Sequence, residues 1–501
     1  MENYTHQTST FSKWRERFWP IHTHELKKLL PLILMKFFVS LVYAILTCMK
    51  DTLVVTAKGS GPEVIPVLKG WIVLPIAIIA TVIYAKLSNI FKRSTLFYGT
   101  IGTLLIVLTV YGFILYPNAE TLQPDQSADW LLHKLGPQFN HWISIYRYWI
   151  QSLFFVTAEL WAALVIFLLF WGITNHITSI NEAKRTYTIL IAAGDVATII
   201  AGPLILFYAK KFAHLNFLLT MQSMIGYVIA FGLIVMGLYY YLTEKVMKDK
   251  RFALPEALQK EEEKTKLSLL QGLKMIVSSK YLLCLAIMVI GYGLSFNLIE
   301  VTWKAHLKQL YPSPSEYQAF MSGVTTYVGI AAFITVLFIG GGCIRFFGWH
   351  FSSQLTPVVI GTTGLMFFFF VLINKHFSIP PQFLFGLSPL AFLVFFGAFQ
   401  NIISKVMKYS FFDPTKEMAF IPLDNESKTK GKAAIDVVGS RFGKSGSAWI
   451  QVGLIDLMGT GSILSITPLL APIVALSIIG WILAVKYVNK EFTKKQLETA
   501  L

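Results

Sequence analysis

Residues 405–451 read KVMKYSFFDPTKEMAFIPLDNESKTKGKAAIDVVGSRFGKSGSAWIQ. An apolar helix is expected to run into this stretch (383–407) and another to leave it (433–457). Between and inside them stand Lys405, Lys408, Lys416, Lys428, Lys430, Lys432, Arg441 and Lys444. The last two fall within the outgoing apolar segment. A charge at membrane depth is costly and is retained where it faces a water-filled cavity with a task. The stretch therefore reads as part of a binding site for a polyanion carried by a membrane helix.

The rest of the chain agrees with that setting. Its 501 residues are 55% hydrophobic with a mean hydropathy of +0.59, far above what a soluble protein of this size carries. Apolar runs long enough to cross about 30 Å of hydrocarbon recur from end to end. They are expected at 29–49, 70–90, 95–116, 149–174, 187–209, 217–242, 281–300, 320–343, 352–373, 383–407, 433–457 and 465–487. The fold expected is an all-α polytopic membrane protein of twelve transmembrane helices in two six-helix halves, major-facilitator-like. The halves are 1–243 and 281–501. The longest polar connection, 244–280, joins them as a cytoplasmic linker, with mixed charge from Glu244 to Arg251 and an acidic run from Glu261. A weak internal echo supports two halves: Arg185 precedes Gly194, and Lys430 precedes Gly439, by the same nine residues.

The formal charge is +16, from 43 Lys and Arg against 27 Asp and Glu. In a membrane protein such an excess follows first from basic cytoplasmic loops, so it does not indicate nucleic acid. The basic residues crowd the N-terminus, every second connection and the C-terminus, which predicts both termini on the cytoplasmic side. The segment 117–148, with Asp125 and Asp129 and few cations, is predicted to face outward. No removable signal peptide is expected, because no short apolar region with a small-residue cleavage site follows the basic N-terminus. Cys48, Cys284 and Cys343 fit neither a zinc site nor a disulfide framework and read as small packing residues. No paired nucleophile and base, metal-ligand spacing or cofactor motif is present, so no enzyme, metal or cofactor is expected, and the chain is expected to act as a monomer.

Several charges lie where a membrane helix should be neutral. Lys36 either snorkels or faces a pore. Lys50-Asp51, at the end of the first expected span, reads as an interfacial pair. Glu159, deep in FFVTAELWAALVIFLLFW, reads as a cavity-lining carboxylate that pairs with site cations or a proton. Glu300 and Lys304 form an i,i+4 pair, and Gly291, Gly293 and Asn297 before them predict a helix that bends or opens. Asp195 and Asp436 are expected to pair with cations or, for Asp195, to take up a proton, since burial raises a carboxylate's affinity for one. His176, at the end of the fourth span, reads as structural. GSRFGKSG is not a phosphate-binding loop: Gly439 and Gly443 enclose three residues, one too few, and no strand precedes them. Its small residues were expected to admit a ligand, with Arg441 clasping phosphate and Lys444 acting as a mobile charge.

These stretches resemble the nucleotide translocases of obligate intracellular bacteria and plastids, often called ATP/ADP translocases. The resemblance runs from WPIHTHELKKLLP (19–31) to the last span. It is carried by KDTLVVTA (50–57), AELWA (158–162), FWGITNHITSINEAKR (170–185), NLIEVTWK (297–304), KYSFFDPTKEMAFIPLD (408–424) and KGKAAIDVVGSRFGKSG (430–446). It implies a twelve-helix carrier of the bacterial inner membrane that exchanges host ATP for ADP. It also implies transport roles for the lysine of KD, the glutamates of AELW and LIE and the lysine of GKSG, here Lys50, Glu159, Glu300 and Lys444. Arg441 and Lys408 join them as substrate-site cations, and Asp195, Asp51 and Asp436 as proton or gate candidates. Three departures stand out. Thr47 replaces an arginine of the family's first span, Asp195 an asparagine, and His176 a glutamate. Relatives of this type also move other nucleotides with protons, or NAD, and these are the alternatives.

Overall fold

The computed structural model describes residues 21, 25–178, 180–213, 216–249, 252, 269–377, 380–423, 427 and 431–500. Among them there is no β-strand. Lys428, Lys430, the acidic run after Glu261 and the side chain of Arg185 lie outside the described residues.

Among the described residues, eleven helices are long and apolar enough to cross a membrane. They are α1 (Leu26–Thr56), α2 (Val64–Ser88), α3 (Arg93–Leu115), α4 (Trp149–Ile177), α5 (Ile180–Lys211), α6 (Phe217–Val246), α7 (Lys280–Leu310), α8 (Pro314–Ile339), α9 (Cys343–Asn374), α10 (Pro381–Phe420) and, last in the chain, α12 (Ile463–Lys494). The remaining expected span, 433–457, is also helical, continuously over 432–458, and is α11. Its Arg441, Lys444 and run of Gly and Ser leave it less apolar than the others. Starts follow local chemistry. The Asn216 side chain accepts from the Leu218 N–H at the head of α6, and Ser388 accepts from Ala391 N–H where the long part of α10 begins, each meeting a donor the first turn cannot satisfy internally. Gly348, at φ +79°, interrupts α9 near its start, a conformation open chiefly to glycine.

Two six-helix halves result. α1 packs against α4, α5 and α6, and α7 against α10, α11 and α12, the same offsets in each half. The halves meet through α5 on α8 and α2 on α11. α1 and α7 occupy the centre: about 61% and 67% of their apolar windows are buried, against 22% for α2. The flank of α2 exposes Ile78, Ile79, Val82 and Ile83, as a lipid-facing surface does.

Three expectations need correction. Lys50 and Asp51 are not interfacial: α1 continues to Thr56 and both residues are 3% exposed. α7 does not open at its glycines. Its helix is continuous, and a side chain on Gly293 would stand 2.9 Å from the Gly443 backbone, one on Gly291 3.1 Å from Trp481. The glycines let α7 approach α11 and α12, the small-residue packing that membrane helices use. For the same reason Gly443 serves helix contact rather than ligand approach.

Candidate functional site

Near the C-terminal ends of α1 and α7, six charges alternate in sign along one chain, the inner four buried and the two end members, Glu159 and Lys69, half-buried. Lys50 Nζ stands 3.0 Å from Glu159 Oε1 and 3.1 Å from Asp51 Oδ1. Lys304 Nζ stands 2.9 Å from Asp51 Oδ2 and 3.2 Å from Glu300 Oε1. Lys69 Nζ stands 3.6 Å from Glu300 Oε2 and 3.0 Å from Asn297 Oδ1. The order is Glu159–Lys50–Asp51–Lys304–Glu300–Lys69, carried by α4, α1, α7 and α2. Three ammonium groups meet three carboxylates, so the chain is neutral as a whole. Each interior member touches two opposite charges, which is how such charges are tolerated away from water. The chain crosses between halves twice, at Asp51–Lys304 and at Glu300–Lys69.

Beyond this network, on the side of the 117–148 segment, further bonds tie the halves. Glu63 accepts from the Ile463 N–H at 3.1 Å. Lys308 donates to the Ser60 carbonyl. His141 Nε2 lies 3.0 Å from Asp456 Oδ1, while within the first half Asn140 donates to Gly59 O at 2.9 Å. Burial holds the His141 imidazole below its ordinary pKa even though Asp456 pulls the other way. Every hydrogen bond and ion pair described between the halves belongs to this end or to the helix contacts beneath it. At the opposite end the described ties stay within a half, such as Lys28 with Glu182 at 2.9 Å and Lys416 with Asp436 at 2.6 Å.

Between the two ends stand cations that are partly or fully exposed. Lys444, midway along α11, is exposed and has no hydrogen-bond or ion-pair partner among the described residues, yet it lies close enough to act electrostatically on Glu159 of the other half. It therefore faces the space between halves. Arg441, one turn earlier, is half-buried and also unpaired among the described residues. Lys405 lies 5.7 Å over the Phe296 ring and acts on Glu300. Lys408 is bound to Asp413 at 2.6 Å and lies 4.9 Å over Tyr409, which is 39% exposed. Tyr292 and Phe296 lie parallel, centroids 5.7 Å apart at 7°. Lys36 stands 5.7 Å from Phe170 and acts on Asp195, whose Oδ2 is buried without a hydrogen-bond partner. Turns widened to i→i+5 spacing begin at Leu68, Trp161, Lys408 and Ile435, beside or within reach of Lys69, Glu159, Lys408 and Asp436. Such turns recur at functional sites because they re-aim side chains.

The structure brings Lys50, Asp51, Glu159 and Glu300 into one network, sets Lys444 within electrostatic reach of Glu159, and leaves Arg441 one turn before Lys444 on α11 and Lys408 bound to Asp413. Asp436 has Lys416 as its partner near the bundle's end, apart from the network; Asp195 stands near Lys36. His176 sits in the last turn of α4. Sequence reasoning missed Lys69 and Tyr409, and read Asn297 as part of a bending helix rather than as the acceptor for Lys69. Lys69 was findable: starting the second helix at Val64, where VIPVLKGWIVLP becomes apolar, places it inside a span. No group of His, Cys, Asp and Glu suited to a metal occurs among the described residues.

Comparison with known proteins adds to this geometry. A family model described as "TLC ATP/ADP transporter" matches residues 4–492. The chain is 42% identical to ADP,ATP carrier protein 1 of Chlamydia muridarum, over 96% of this chain and 92% of that protein. It is 40% identical to the chloroplastic ADP,ATP carrier protein 1 of Arabidopsis thaliana, covering 95% and 76%, and 38% identical to ADP,ATP carrier protein 3 of Rickettsia bellii, covering 97% and 98%. Among solved structures, the nucleoside transporter NupG superposes with a TM-score of 0.56 at 12% identity, over 92% of this chain and 99% of that one, a likeness of fold.

Proposed function

Since this chain belongs to the TLC ATP/ADP transporter family, we propose that it exchanges ATP for ADP across a bacterial inner membrane by alternating access, with 1–243 and 281–501 rocking about the central site and 244–280 joining them. Both termini face the cytoplasm in this reading, the side favoured by the basic connections, and the chain works as a monomer. The family is one of transporters, and the residues described hold no catalytic constellation.

The observation that carries the proposal is the contrast within one bundle. A neutral, fully paired charge chain joins the halves on one side. Below it, Lys405, Arg441 and Lys444 line the inter-half space without carboxylate partners. A nucleotide's phosphates supply the missing negative charge. Lys444 and Arg441 take the phosphate chain, with Lys405 and Lys408 beside it, and the exposed Tyr409 offers its face to the base. Phosphate near Lys444 also competes with Glu159 for Lys50. Loosening that contact weakens the chain at its first link, and the strain passes through Asp51 to Lys304 in the other half. Bound nucleotide thereby favours separation at the closed end, whereas the empty carrier keeps its network intact. This is the behaviour an exchanger needs.

A second reading rests on Asp195. Its orphaned Oδ2 beside Lys36 suits a proton acceptor, which would make uptake proton-coupled. Purified protein in liposomes separates the readings. Labelled ATP is offered to vesicles that are empty, loaded with ADP, or placed under an inward proton gradient. Uptake that requires internal ADP is the expected result. Gradient-driven uptake into empty vesicles, lost on protonophore addition and in Asp195→Asn, would replace exchange with symport. Failure of ATP in every arm, with uptake of NAD or another nucleotide, would retain the fold and overturn the substrate.

A further inference from the structure

A second site lies outside the central cavity, on the lipid-facing flank. The turn between α2 and α3 and the C-terminal part of α4 enclose a cleft of about 330 Å³, at the lower end of the ~300–1,000 Å³ usual for small-molecule sites. Tyr84, Ser88 and Arg93 line it from the α2–α3 hairpin, and Leu168, Leu169 and Gly172 line it from α4. A Cβ on Gly172 would meet nothing within 4 Å, so the helix wall there is open rather than packed. Arg93 is exposed, has no hydrogen-bond or ion-pair partner among the described residues, and acts electrostatically on the Tyr84 hydroxyl.

The surroundings fix what kind of molecule fits. Lys86, Lys92 and Arg93 stand within eight residues, and no acidic residue occurs from Thr81 to Ala119. On α4 none occurs beyond Glu159. The neighbouring surface exposes Ile83 at 51%, Ile90 at 72% and Phe167 at 65%, which faces hydrocarbon in a spanning bundle. The cleft is thus polar and cationic where the α2–α3 turn meets the headgroup layer, and apolar below. A soluble anion would leave the apolar α4 wall uncovered, and a zwitterionic lipid would leave the cations uncompensated.

We infer that this cleft seats one anionic phospholipid, its phosphate on Arg93 and Lys92 with the Ser88 and Tyr84 hydroxyls beside it, and its upper acyl chain along Leu168, Leu169 and Gly172. The lipid bridges the α2–α3 hairpin to α4, the helix that carries Glu159.

Native mass spectrometry of the full-length protein, delipidated in detergent and titrated with dioleoylphosphatidylglycerol, dioleoylphosphatidylcholine or glycerol 3-phosphate, tests it. One phosphatidylglycerol should be retained in preference to phosphatidylcholine, and glycerol 3-phosphate should neither bind nor compete. Lys92→Gln with Arg93→Gln lies in an exposed turn and should leave the melting temperature of the lipid-free protein unchanged while weakening phosphatidylglycerol binding by about tenfold. Gly172→Phe, which fills the cleft, should weaken both lipids. Equal retention of the two lipids, undiminished phosphatidylglycerol binding in the double variant, or competition by glycerol 3-phosphate would each overturn the assignment, the last by making the ligand a free phosphate.

Discussion

Two sets of cations in this bundle differ in one respect that separates their roles. Lys50 and Lys304 are each held by two carboxylates, and Lys69 by one carboxylate and an amide, in a network whose core is nearly sealed from solvent. Lys444 is exposed and Arg441 half-buried, and neither has a carboxylate partner among the described residues. The residue types are nearly the same. The first set has its counter-charges built in and therefore holds two halves together. The second lacks them, and in the proposed reading it is this set that takes the anion. Charge balance, rather than charge, distinguishes a latch from a ligand site.

Breaking the latch should give the largest effect. Lys304→Ala leaves Asp51 and Glu300 short of a cation in a dry setting, a loss of about 3–5 kcal/mol for a broken buried pair. Melting temperature and ATP/ADP exchange should both fall sharply, and Asp51→Ala added to Lys304→Ala should restore part of the stability. A Lys304→Ala protein that melts like the parent would dissolve the distinction drawn above.

Lys444→Ala should do the reverse. It removes an exposed, unpaired cation, so melting should barely move. One charge-assisted hydrogen bond is worth about 1.5–3 kcal/mol, so half-saturation for ATP and ADP should rise by about 10- to 100-fold. Unchanged half-saturation would remove Lys444 from the substrate site.

Smaller again is the base-stacking contribution of Tyr409. Stacking on one ring is worth about 1–3 kcal/mol. Tyr409→Ala should weaken ATP binding by about fivefold or more, with tripolyphosphate binding unaltered and Tyr409→Phe near normal. Equal losses for ATP and tripolyphosphate would assign Tyr409 to the phosphates instead.

The smallest effect concerns the His141–Asp456 tie between the halves, the cap beside the network on the side of the 117–148 segment. Because burial depresses the His141 pKa, the folded state binds fewer protons there than the unfolded chain, whose imidazole titrates near ~6.5. The stability associated with neutral His141 is therefore present above that value and is lost as pH falls through it towards the folded pKa. Melting measured from pH 7.5 to 5.5 should decline in the parent and decline less in His141→Gln. Parallel curves would show that His141 does not report on the cap.

The comparison also shows what could be read in advance. Glu159, Glu300 and Lys444 stood out because a charge in an apolar run is anomalous whatever surrounds it. Lys50 and Asp51 were misplaced because helix ends are poorly marked in sequence, and a pair near an end resembles an interfacial one until the helix is seen to continue to Thr56. Gly293 and Gly443 were read as openings because glycine permits both bending and close approach; only the backbone distance between α7 and α11 separates the two.

The amino-acid sequence by itself determined the membrane class, the positions of the spans and most of the charges that matter. Those are properties of one segment against one solvent: twenty apolar residues partition into hydrocarbon, and an ionised side chain among them is conspicuous. Which charge neutralises which was decided only by tertiary structure. Asp51 and Lys304 are 253 residues apart in the chain and 2.9 Å apart in the fold. Coulomb energy depends on that separation and on the local dielectric, and neither exists until two halves of the chain have packed against each other.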